Sequence, residues 1–155
     1  MELDIVAEWY RFAERDLSSA DYLQGLIPQP VEIICYLCQQ SAEKHLKGYL
    51  IHQGVSEPPK THDLDVLYMM CKSYDERFEK IKRACNMLTM YSVQPRYPNE
   101  MEITENDMHM ALEHARLIQS FSITVLSETK TVPAFSALQL KAKGVKFDRE
   151  IADER

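Results

Sequence analysis

Two prolines bracket an arginine and a tyrosine in Pro95-Arg96-Tyr97-Pro98. Prolines at that spacing exclude a helix interior, so the pair reads as a loop holding a guanidinium beside a phenol. That combination could bind a phosphate with Arg96 and stack a base on Tyr97. The competing reading has Arg96 capping helix carbonyls or pairing with an acid while Tyr97 packs on the end of a bundle. His62-Asp63 is a second candidate, an imidazole next to a carboxylate that could act as proton donor and orienting group. Equally, Asp63 at a helix start complements the dipole and His62 fills the cap region. Gln40, Lys44 and Lys47 fall at i, i+4 and i+7, so one helix face carries them. With Glu43 they form a polar ridge for a phosphate or a partner, or simply a solvated face with an exposed Glu43–Lys47 pair.

Cys35-x-x-Cys38 invites a redox or zinc reading, but both cysteines lie on an apolar helix stripe, and Cys71 and Cys85 are too far apart to complete a knuckle. All four read as reduced core thiols. A di-iron site needs Glu-x-x-His on paired helices; Glu105 with His109 and Glu113 with His114 have the wrong spacing. No metal and no cofactor is expected, and the four glycines show no phosphate-binding pattern.

The elements that must position these residues are helical. Apolar residues recur in steps of three and four over 2–24 (Val6, Trp9, Tyr10, Ala13, Leu17, Ala20, Leu23) and over 31–53 (Ile34, Cys35, Cys38, Ala42, His45, Leu46, Tyr49). Gly54 is placed to end the second helix. Pro58-Pro59 makes 54–62 a loop, and a short helix follows over 63–72, capped by Thr61 or by Asp63. Residues 75–92 predict a fourth helix whose outer face pairs Glu76 with Lys80 and Glu79 with Arg83. Thr104 and Asp107 form a capping box that opens a fifth helix, to about residue 128. The expected fold is all-α, an up-and-down bundle of four long helices plus one short one over 1–128. Residues 129–155 are expected to be a tail, with a short amphipathic turn at 135–140.

The chain has 155 residues and a net charge of −6. Residues 1–128 hold 12 basic and 20 acidic side chains, a net of −8, and 129–155 hold six and four, a net of +2. Such a domain does not coat nucleic acid by bulk charge; any nucleotide contact is a local patch. Arg77, Lys80, Lys82 and Arg83 are one basic cluster, interleaved with Glu76 and Glu79. Lys141, Lys143 and Lys146 lie in the tail. Neither a membrane span nor a signal peptide is evident, which points to the cytoplasm. Methionines, eight in all, are too many for the core stripes alone and suit an adaptable partner surface.

The second helix resembles that of HEPN domains. Gln39-Gln40, Ala42-Glu43-Lys44 and Leu46-Lys47 follow the family's QQ-x-AEK-x-LK run, with Gly54 after the helix. Thr61-His62-Asp63-Leu64 is similar to its T-H-D-L, and Tyr91 with Arg96-Tyr97-Pro98 to its Y-x-x-x-x-R-Y-P. The likeness spans roughly residues 3–127 in order. It implies a five-helix bundle that commonly forms a homodimer and binds RNA or a nucleotide, often beside a small nucleotidyltransferase partner in toxin–antitoxin systems. Ribonuclease-active members carry R-x(4–6)-H. Here Arg96 is present, but Met101, Glu102, Ile103 and Thr104 stand where the histidine should be, and His109 comes too late. Catalytic residues are thus left open, with Arg96 and His62 as candidates. Two alternatives remain: a metal-independent endoribonuclease with a non-standard site, and a purely structural interaction domain.

Overall fold

The computed structural model describes residues 2–93 and 102–128. Arg96, Tyr97 and the 129–155 tail, with its turn at 135–140, lie outside the described residues. The described residues form five α-helices and no strand: α1 (Glu2–Leu23), α2 (Val31–His52), α3 (Leu64–Tyr74), α4 (Lys82–Leu88) and α5 (Glu105–Ser127).

Helix ends fall where local chemistry stops them. Beyond α2, Gly54 adopts φ +99°, a conformation that favours glycine. Its N–H bonds the Ile51 carbonyl at 3.0 Å, and the Val55 N–H bonds the Leu50 carbonyl at 3.0 Å. Together these satisfy the last carbonyls in a Schellman arrangement. At α3, Asp63 is the cap and accepts from the Asp65 N–H at 2.9 Å. Thr61 instead holds the Asp63 N–H at 3.0 Å. Thr104 and Asp107 close the expected box reciprocally at 3.1 and 2.9 Å.

The fourth segment is not one α-helix. A 3-10 run (Glu76–Ile81) leads into α4, and a 3-10 turn (Thr89–Tyr91) follows it. Phe78, Ile81, Ala84, Cys85, Leu88 and Tyr91 are nevertheless all buried. The tighter winding undoes the expected surface pairs, because three residues per turn no longer bring i and i+4 onto one face. Glu79 instead meets Lys72 of α3 at 2.8 Å and accepts from the Tyr68 hydroxyl at 2.6 Å. These bonds hold its carboxyl down at about 2. Arg77 clamps Asp75 at 2.8 Å and reaches Glu128 at the end of α5 at 2.6 Å, so it is occupied and not part of a free basic patch.

α2 is the centre of the fold and packs against every other helix. Fourteen of its 22 residues are buried, far more than one stripe supplies, so its polar residues are enclosed as well. It approaches α1 closely at Gly48, where a Cβ would fall 2.5 Å from the buried Tyr10 ring. Ser41 fastens the same pair of helices, its hydroxyl donating to the Ala13 carbonyl at 2.7 Å. On the other side Tyr49, Phe78 and Phe121 stack in sequence, with ring centres 4.6 and 5.0 Å apart.

Candidate functional site

The polar side of α2 is not a solvated face. Gln39 is fully buried, and the Glu43 and Lys47 side chains are only 7% and 9% exposed. The α2–α3 loop reaches Gln39 and Glu43 through His62, and α3 packs against α2. Lys47 Nζ donates to Glu43 Oε2 at 3.0 Å, and Glu43 Oε1 lies 2.9 Å from His62 Nδ1. Gln39 Nε2 donates to the His62 carbonyl at 2.9 Å and lies 3.5 Å from Glu43 Oε1. Gln40 in turn donates to Gln39 Oε1 at 2.7 Å. The chain of bonds ends in the open, for the His62 side chain is 63% exposed.

This geometry separates residues that the sequence grouped. Gln40, Lys44 and Lys47 do not act as one ridge: Lys44 pairs with Asp16 on α1, while Lys47 turns inward to Glu43. Asp63 does not orient His62, because its carboxylate is engaged as the α3 cap. Glu43 occupies that place, 19 positions earlier. Its part was legible only in the i, i+4 step to Lys47; its contact with His62 needed the loop's return path, which the sequence does not specify.

The corner is tied to the fourth segment. Thr89 Oγ1 accepts from the Leu64 N–H at 3.0 Å and lies 3.4 Å from Asp63 Oδ1. Thr89 is seven residues before Arg96 in the sequence. The placement of Arg96 and Tyr97 themselves lies outside the described residues.

Other polar groups have different tasks. Burial pushes the thiols of Cys35 and Cys85 up to about 12 and raises Cys38 and Cys71 as well; such thiols are poor nucleophiles and poor metal ligands. Among the described residues no three His, Cys, Asp or Glu side chains are grouped to hold a metal ion. No helix there is long and apolar enough to cross a membrane. Lys80, Lys82 and Arg83 are exposed on the fourth segment. Met69, Met87 and Met90 are exposed too, whereas Met108 is buried, so the methionines divide between core and surface.

The sequence pattern of the HEPN domain family matches residues 6–125. Among solved structures, the crystal structure of an archaeal HEPN homologue is similar to this fold, with a TM-score of 0.61 and 26% identity over 78% of this chain and 97% of the other. No curated protein is significantly similar in sequence.

Proposed function

The chain belongs to the HEPN domain family, and from that premise we propose that it is a helical module binding RNA or a nucleotide through its phosphate. The contacts are made by His62 at the α2–α3 corner and by Arg96 and Tyr97. One observation carries this reading: Gln39, Glu43 and Lys47 are enclosed in the bundle wall, and Gln39 holds the His62 carbonyl while Glu43, itself held by Lys47, meets the exposed His62 imidazole. Replacing a buried ion pair by apolar residues is often neutral or stabilising, so its presence beneath a solvent-facing histidine favours a role for that histidine. The charge of the domain supports a local site over a broad electrostatic surface.

The reading extends to a cytoplasmic homodimer, partnership with a small nucleotidyltransferase, and a toxin–antitoxin setting. Exposed Val66 and Met69 on α3, with Met87 and Met90 on the fourth segment, support an adaptable contact surface. Titration of 5′-AMP and of a fluorescent single-stranded RNA against the wild type, Arg96→Ala and His62→Ala tests the site. Arg96→Ala is expected to weaken binding by roughly tenfold, the effect of losing one charge-assisted contact, and His62→Ala by about threefold to tenfold, the effect of losing one neutral hydrogen bond to a ligand hydroxyl. Unchanged affinity for either variant removes that residue from the site.

A second reading, a metal-independent endoribonuclease, is favoured by the Glu43–His62 pair, which supplies a held imidazole where the family's motif histidine is missing. It requires RNA cleavage in EDTA that both Arg96→Ala and His62→Ala abolish. Wild-type protein that leaves varied RNAs intact excludes it.

A further inference from the structure

We propose that Glu43 and Lys47 are positioning residues that lock His62 in one tautomer, with its proton on Nδ1 and a bare Nε2 presented outward as a proton acceptor for a hydroxyl group of a bound phosphate ester. The ligand class rests on the phosphate-binding reading above; the state of the ring does not.

The argument runs from the inside outward. Lys47 is an ammonium with three donors and no acceptor, and it meets Glu43 Oε2 at 3.0 Å. That fixes which way the carboxylate faces, and its other oxygen is left 2.9 Å from His62 Nδ1. Oε1 accepts, so Nδ1 carries the proton. In neutral imidazole the second nitrogen is then unprotonated. Gln39 holds the backbone of the same residue through the His62 carbonyl at 2.9 Å, so ring and main chain are gripped independently. This over-determination is the pattern by which a buried carboxylate sets the working nitrogen of a histidine. With 63% of the side chain exposed, the ring is open to a ligand from solvent.

The positioning role makes a prediction that mere packing does not. In Glu43→Gln the side chain keeps its shape but has one oxygen and one amide. Lys47 can face only the oxygen, so the amide turns toward His62, and Nδ1 must become the acceptor. The ring proton then moves to Nε2. Adding Lys47→Met removes that constraint. The glutamine oxygen can turn back toward His62 and the Gln39 amide, and the original tautomer returns.

The test uses the full chain at a pH where His62 is neutral. Ring nitrogen and carbon chemical shifts, assigned with a His62→Gln spectrum, report the tautomer; the amide spectrum reports the fold. The expected order is Nδ1–H in the wild type, Nε2–H in Glu43→Gln and Nδ1–H again in Glu43→Gln/Lys47→Met. Carbethoxylation by diethylpyrocarbonate, an electrophile that a bare imidazole nitrogen attacks, is followed at His62 by mass spectrometry. Exposed His109, whose Nε2 lies 3.5 Å from Glu105 Oε1, is the internal reference. Modification of His62 at Nε2 should slow about tenfold in Glu43→Gln, as expected for one charge-assisted bond, and recover in the double variant. A wild-type ring protonated on Nε2 overturns the proposal without any variant. So does a folded Glu43→Gln protein whose His62 tautomer is unchanged. Failure to bind 5′-AMP or RNA while the tautomer order holds refutes the ligand reading and leaves the positioning intact.

Discussion

Acidification from pH 7 to about 4.5 should remove a defined part of this protein's stability through His45. His45 is 1% exposed in the middle of α2. Its Nδ1 lies 2.9 Å from the Ser41 carbonyl, which can only accept, so Nδ1 carries the proton. The Nε2 atom is buried without a hydrogen-bond partner among the described residues, and the ring meets Tyr10 edge to face at 5.0 Å. Burial pushes the imidazole down to about 4, with the Ser41 bond opposing only in part. The sign follows from proton binding: the unfolded chain, with an ordinary value near 6.5, takes up the proton first. Stability from this group is therefore complete above about pH 6.5 and falls as the pH drops toward 4. The loss is on the order of 1 kcal/mol at pH 5.5 and roughly 2–3 kcal/mol at pH 4.5. Against a total on the order of 10 kcal/mol that is readily measured. Burial also lowers His114, with Arg83 pushing the same way, and other groups take up protons on acidification. The assay is therefore a difference: urea unfolding of wild type and His45→Gln, from pH 7 to 4.5. The variant is uncharged throughout, so the gap should close by roughly 2–3 kcal/mol on acidification. A constant gap, or a His45 ring that titrates near pH 6.5 in the folded protein, refutes the reasoning.

Gly48→Ala should destabilise the fold by about 1–3 kcal/mol through overpacking; its Cβ would fall 2.5 Å from the Tyr10 ring and 3.2 Å from the Trp9 Cβ, and a urea midpoint within error of wild type would contradict the close approach. Glu43→Leu alone leaves the buried Lys47 uncompensated and should cost about 3–5 kcal/mol. Glu43→Leu/Lys47→Met should cost less than that single substitution, and a double-mutant cycle with additive losses would show that the pair is not coupled. The four buried thiols should resist Ellman's reagent in the folded state and react in denaturant; rapid labelling of native protein would mean that the bundle opens locally.

How far the sequence reads is visible in particular residues. The stripes of α1, α2 and α5 and the Thr104 box were legible because a helix repeats its face every three to four residues and a cap lies within three residues of its partner. The 3-10 winding of Glu76–Ile81 was not, since its buried residues, Phe78 and Ile81, are three apart and fit either helix. The polar face of α2 was misread for a tertiary reason. Periodicity tells which residues share a face, but the loop through Pro58-Pro59 and the placement of α3 decide whether that face meets water. Hence Lys44 and Lys47, three residues apart, end on different partners. His62 was legible as a candidate, whereas its contact with Glu43 depended on a chain reversal that no local pattern encodes.

The same turns of α2 that carry the site also carry its close approach to α1 at Gly48, and this joins stability to chemistry. Between Glu43 and Gly48 lie the carboxylate that holds His62, the histidine packed on Tyr10, the lysine that orients the carboxylate and the glycine that admits Tyr10. A helix moves as a rigid unit over so short a span, so the contact with α1 fixes where Lys47 and Glu43 can reach. Displacing α2 at Gly48 must then shift the carboxylate relative to the α2–α3 loop. A hydrogen bond of 2.9 Å tolerates little of that before it weakens. Gly48→Ala should thus loosen the His62 tautomer even though residue 48 touches no part of the site. Conversely, Gly25→Ala, whose Cβ would come only within 3.5 Å of the Tyr22 carbonyl, should leave the His62 tautomer unchanged. If the two glycine variants leave the His62 ring spectrum equally unchanged, the site is held by its own bonds alone and owes nothing to the α1–α2 contact.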